Sequence, residues 1–184
     1  QGKVYTEDKI SYSSFIVTPP LFRLEAGQQI RLRIIHTGGT VVPDRENMQW
    51  LCVGGIPPKN TDVWADDSVK KDSGSVALNL EVSAHNCIKL LVRPNGLKGT
   101  SMSAAENVDW SRQGNKISVR NASPFYINLS SVVVGGKPVK GLDYVPPFGE
   151  RKFDLPEGAS GKVEWKAITD VGGESRMFVS SSPV

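Results

Sequence analysis

Histidine and cysteine are scarce in this chain, two of each in 184 residues, and no block of it carries charge of one sign. No apolar run approaches the roughly 18 residues that a membrane span requires. Each scarcity excludes something. His36 and His85 lie on or beside strand patterns without metal-ligand spacing to a Cys or Asp, so they read as ordinary strand or loop residues. No Gly-x-Ser-x-Gly elbow, phosphate loop or dinucleotide fingerprint occurs. The paired Asp66-Asp67 falls in a polar stretch, where solvated charge accounts for it. Neither an enzyme nor a bound cofactor is expected. Residues 1–94 hold 11 basic and 10 acidic groups and residues 95–184 hold 11 and 9, for a net charge of +3. Four Trp and six Phe are scattered rather than interleaved with Lys and Arg, so nucleic acid is not an expected partner. Membrane insertion is not expected either. The opening Gln1-Gly2-Lys3-Val4-Tyr5 does not look like a signal peptide, and a start without Met fits a processed or trimmed chain.

What the chain does hold points to strands. It has 21 Val and 10 Ile against 9 Ala, with 30 Gly and Pro together. β-branched residues divided by turn formers favour sheet over helical bundle. Apolar residues alternate in Gln29-Ile30-Arg31-Leu32-Arg33-Ile34, and a second strand is expected from Met48 to Ile56, ended by Pro57-Pro58. The clearest alternation is Val76, Leu78, Leu80 and Val82, separated by Ala77, Asn79 and Glu81. With Ile88-Lys89-Leu90-Leu91-Val92 it makes a strand pattern from about 75 to 93, far beyond the usual five or six residues. The polar stretch between Pro57 and Ser75 reads as a long mobile loop. Arg93-Pro94-Asn95-Gly96 reads as a linker, so domains are expected at 1–94 and 95–184. Further strands are expected near 115–120, 125–134, 151–155, 162–169 and 176–180. An all-β chain of two tandem β-sandwiches follows.

Cys52 and Cys87 lie in the two strand patterns that flank the long loop. They are read as a disulfide, since the count is even and metal spacing is lacking, or else as two inert buried thiols. A bond closing a loop of this length contributes about 3–4 kcal/mol in the chain-entropy model and implies an oxidising compartment. Asn121-Ala122-Ser123 and Asn128-Leu129-Ser130 match the glycosylation pattern, which is common by chance.

Several segments together resemble the periplasmic usher-pathway pilus chaperones, the PapD-like family. They are Phe15-Ile16-Val17-Thr18-Pro19-Pro20-Leu21-Phe22-Arg23-Leu24, Pro43-Asp44-Arg45-Glu46 with Trp50, and Cys87-Ile88-Lys89-Leu90 with Arg93-Pro94. Asn121-x-Ser123-Pro124-Phe125-Tyr126, Tyr144-Val145-Pro146-Pro147 and Ile168-Thr169-Asp170-x-Gly172-Gly173 continue the likeness in order over nearly the whole chain. The cysteine pair and long loop resemble the subfamily that assembles thin or capsule-like fibres and adhesins.

The resemblance implies two immunoglobulin-like domains in an angled, L-shaped arrangement, with a subunit in the cleft. It implies a periplasmic chaperone that binds fimbrial or adhesin subunits and delivers them to an outer-membrane usher. Val76, Leu78, Leu80 and Val82 become the strand lent to a subunit that lacks its own last strand. An edge strand with exposed apolar side chains is an aggregation hazard until a partner covers it. The other reading of these four residues is the protein's own core. Lys89, a lone cation in an apolar strand pattern, becomes the anchor for the subunit's terminal carboxylate. Its alternative is a solvent-facing Lys. Glu46, Arg93 and Asp170 match the family's charges that fix the angle between domains, or else are unrelated surface charges.

The family begins with two further strands, the first bearing an Arg that shares carboxylate binding, whereas this chain opens on what resembles the third. The first domain is thus expected to lack its first two strands, through a fragment, a defective product or strands supplied by another chain. Self-association is expected of the uncovered strands. The rival to the chaperone is a secreted structural fibre subunit or adhesin, for which a missing final strand rather than an overlong middle one would be expected.

Overall fold

The structure, a computed structural model, describes residues 14–25, 27–39, 41–56 and 83–184. The loop expected after Pro57 and the strand residues Val76, Leu78, Leu80 and Val82 lie outside the described residues. The described chain is almost entirely β, with one short helix.

Its first half holds two ribbons. Strand β1 (Phe15–Thr18) pairs antiparallel with β2 (Arg33–His36), from Phe15↔His36 to Thr18↔Arg33. The alternation starting at Gln29 predicts an earlier strand than the one found. Continuing the register would set Leu32 against Pro19, which has no N–H to donate, so the ladder stops at Thr18. Strand β3 (Asn47–Gly54) pairs with β4 (His85–Val92) and places Cys52 directly opposite Cys87, where the two form a disulfide.

After β4 the chain turns at Asn95-Gly96, Gly96 sitting at φ +97°. Helix α1 (Ser101–Glu106) starts at Thr100, whose hydroxyl accepts the Ser103 N–H at 3.1 Å. Its buried Ala104 and Ala105 allow close packing, and the Trp165 indole N–H donates to the Ala105 carbonyl at 2.8 Å. Two sheets follow. One has the order β10 (Glu150–Asp154), β6 (Lys116–Arg120), β5 (Asp109–Gln113). The other runs β12 (Phe178–Val179), β11 (Val163–Ala167), β7 (Ile127–Val134), β8 (Lys137–Pro138), with β9 (Tyr144–Val145) also pairing with β7.

Period-2 burial makes these strands. In β7, Ile127, Leu129, Val132 and Val134 face inward, and the alternation resets at Ser130-Ser131 where a bulge shifts the register against β11. Ile117 and Val119 of β6 and Val163 and Trp165 of β11 complete the core with Phe125, Phe153 and Phe178. Gly135 and Gly136, both at positive φ, close the β7–β8 hairpin in the two-residue turn that suits sheet twist. The polar strand β5, with Trp110 its one large apolar residue, had no expected counterpart in the sequence. Every buried apolar residue among those described lies between Ala104 and Phe178.

Candidate functional site

A cleft of about 390 Å³ lies between the two halves, lined among others by Lys89, Arg93, Tyr126, Asn128, Thr169 and Asp170. Lys89 stands opposite Trp50 in the β3–β4 ladder. The partly buried Lys89 ammonium donates to Asn128 Oδ1 at 3.1 Å and lies 4.6 Å from the centre of the Tyr144 ring. The Asp143 carboxylate is farther, at 3.9 Å, and also sits 3.6 Å from Arg151. Arg151 lies over the same Tyr144 ring at 4.7 Å and donates to the Tyr144 carbonyl. Strand β4 thus supplies the cation, while its near partners, an amide oxygen and an aromatic face, come from the second half. These nearest partners are neutral, and the more distant Asp143 carboxylate is shared with Arg151, so the Lys89 charge is held in place and only partly countered. The Thr169 hydroxyl, buried beside the same space, has no hydrogen-bond partner among the described residues.

Glu46, Arg93 and Asp170 meet at the edge of this cleft. Arg93 donates from Nε to Glu46 at 2.7 Å and through both terminal nitrogens to the two Asp170 oxygens at 2.8 and 2.9 Å. The bidentate fork fixes geometry as well as charge. Glu46, 2% exposed, is the one buried residue among those described before Ala104. Its second oxygen accepts the Tyr126 N–H at 2.7 Å, and its own N–H donates to the Pro124 carbonyl at 2.8 Å. Hydrogen bonds from Arg93, then from Ser101, hold the Asp170 carboxyl below its ordinary range against the opposing effect of burial. Hydrogen bonds to Asp170, then to Glu46, raise Arg93 above the usual guanidinium value against the opposing effect of burial.

Sequence patterns single out Lys89, Glu46, Arg93 and Asp170, but not Asn128, Asp143, Tyr144 or Arg151. Asn128, Asp143 and Tyr144 reach Lys89, and Arg151 reaches Asp143 and Tyr144, only through tertiary folding; the glycosylation pattern at Asn128 and the segment Tyr144-Val145-Pro146-Pro147 do not point to that contact. Among the described residues no group of His, Cys, Asp and Glu could hold a metal ion, and no helix is long and apolar enough to cross a membrane.

Two family models match the chain: the N-terminal domain of the PapD pili and flagellar-assembly chaperones over residues 1–98, and the PapD pili-assembly chaperone C-terminal domain over residues 103–178. Among curated relatives, the chaperone protein caf1M of Yersinia pestis is 45% identical over 186 residues, covering 97% of this chain and 72% of its own. The chaperone protein AfaB of Escherichia coli is 51% identical over 160 residues, covering 86% of this chain and 64% of its own. Among solved structures, the Salmonella enterica SafA pilin in complex with the SafB chaperone matches with a TM-score of 0.79 at 46% identity, over 95% of this chain and 77% of that one. The E. coli chaperone DraB matches with a TM-score of 0.77 at 48% identity, over 96% and 79%.

Proposed function

The chain belongs to the PapD family of pilus-assembly chaperones, a non-enzymatic class, and on that premise we propose that it binds fimbrial or adhesin subunits in the cleft. Its place is the periplasm, and its complexes pass to an outer-membrane usher. The division into domains falls at 94/95, two residues beyond the end of β4. Lys89 receives the terminal carboxylate of the subunit. Val76, Leu78, Leu80 and Val82 lend alternate side chains to the subunit's incomplete sandwich, a strand-addition mode of recognition.

The observation that carries this reading is the Lys89 ammonium at the cleft, held by an amide oxygen and an aromatic face. Such a cation favours an anionic acceptor that can bring charge-assisted hydrogen bonds into a partly desolvated site. Glu46, Arg93 and Asp170 hold the two domains at the angle that keeps the cleft open. The test is affinity capture from periplasmic extract of fimbriated cells, followed by mass measurement of the intact complexes. One-to-one complexes with small fibre subunits are expected. Recovery of polymers containing this chain would instead make it a fibre component.

A further inference from the structure

Phe148 combines two unusual features. It is the one residue other than Gly at positive φ (51°) among those described, and its aromatic ring is half exposed. A bulky side chain in this region is strained, and strain persists where the surroundings hold it. Here the surroundings are visible. The Phe148 N–H donates to the Ser123 carbonyl at 3.1 Å, and the Gly149 carbonyl accepts the Asn121 N–H at 2.8 Å.

The Asn121 side chain, 1% exposed, uses all four of its hydrogen-bonding positions. Its amide nitrogen donates to the Phe125 carbonyl at 2.7 Å and to the Pro146 carbonyl at 2.9 Å. Its oxygen accepts the Ser123 N–H and hydroxyl at 3.0 and 2.6 Å. One buried amide therefore ties the loop at 121–126 to the loop at 146–149, which leaves it no role as a glycan acceptor.

Both loops face the first half of the chain. The first offers Tyr126 N–H and the Pro124 carbonyl to Glu46. The second sets the Phe148 ring 5.0 Å from the Arg45 guanidinium, which also donates two hydrogen bonds to the Asp44 carboxylate at 2.9 and 3.0 Å. We propose that Arg45 and Phe148 form a second latch between the domains, distinct from the Glu46–Arg93–Asp170 set, and that Asn121 is its positioning residue. Strain at Phe148 aims the ring at Arg45, and the Asn121 network sustains that strain. The latch does not depend on what occupies the cleft.

The substitution Phe148→Gly separates this role from a merely structural one. Gly accepts positive φ freely, so protection of the second-half core amides against exchange holds or rises. The joint nevertheless loosens: backbone residual dipolar couplings of β3–β4 and of β6, β7 and β11, which fit one alignment tensor in the parent chain, then require two. Arg45→Gln gives the same divergence, and the double variant is no looser than either single one, as expected of partners in one contact. Asn121→Asp keeps the acceptors for Ser123 but sets a carboxylate against two carbonyls, and loosens the joint at least as much as Phe148→Gly. One shared tensor in both Phe148→Gly and Arg45→Gln would overturn the latch. A matched tensor in Asn121→Asp would remove Asn121 from it.

Discussion

Arg93 makes three hydrogen bonds to two carboxylates, one to Glu46 in its own half and two to Asp170 across the cleft, and the two carboxylates differ in burial and therefore in response to substitution. Glu46 is the buried one, and Glu46→Ala strips acceptors from both Arg93 and the Tyr126 N–H. Orphaning such donors costs about 1–3 kcal/mol each, so the urea midpoint should fall. Asp170, half exposed, gives a smaller and pH-dependent effect. Its carboxyl is depressed in the folded chain, so on acidification the unfolded state takes up the proton first. The stabilisation from Asp170 is complete above the unfolded value of about 3.9 and is lost as pH falls through the lower folded value. Thermal melts should accordingly show Asp170→Asn less stable than the parent at neutral pH, with the gap closing in acid. A gap independent of pH would mean that charge at Asp170 is not the stabilising feature.

At the scale of the element, the β3–β4 ribbon is cross-linked by Cys52–Cys87, which closes the chain between them. Thiol labelling of oxidised protein should find no free cysteine, and reduction should destabilise the chain by about 3–4 kcal/mol in the entropic account. Two labelled cysteines without reduction would contradict the bond. Helix α1 depends on its Thr100 cap, so Thr100→Ala should cost about 1 kcal/mol of stability by chemical denaturation. Strands such as β7 and β11 are legible in sequence because their inward side chains alternate on a face that is buried. Strand β5 is not, because as a sheet edge it needs only Trp110 on its inner side. The six-residue α1, Ser-Met-Ser-Ala-Ala-Glu, is too short to display a helical stripe. Alternation from Gln29 places β2 too early because it cannot show that the facing residue is Pro19. For the site the limit is similar: Lys89 stands out as a charge among apolar neighbours, whereas Asn128 and Tyr144 become its partners only across the domain joint.

Across the whole molecule, packing is uneven. The buried apolar side chains among the described residues lie in the second half, while Ile16, Leu21, Trp50, Ile56 and Ile88 of the first are exposed. Amide exchange should therefore be slower in β6, β7 and β11 than in β1 to β4, because protection follows buried contacts. Equal protection in both halves would contradict this distribution of stability. The central claim concerns the cleft where the halves meet, and the most direct test is the affinity of Lys89→Ala for the fibre subunit captured with the parent protein. Removing one side of a partly desolvated ion pair costs up to about 3–5 kcal/mol, because the remaining charge loses its partner. Binding should weaken more than about 100-fold, while the melting temperature of the free protein stays near that of the parent. Leu80→Ala should weaken binding less, by the burial of its side chain, about 1.5–3 kcal/mol at most. Subunit binding by Lys89→Ala as tight as that of the parent would contradict the anchor.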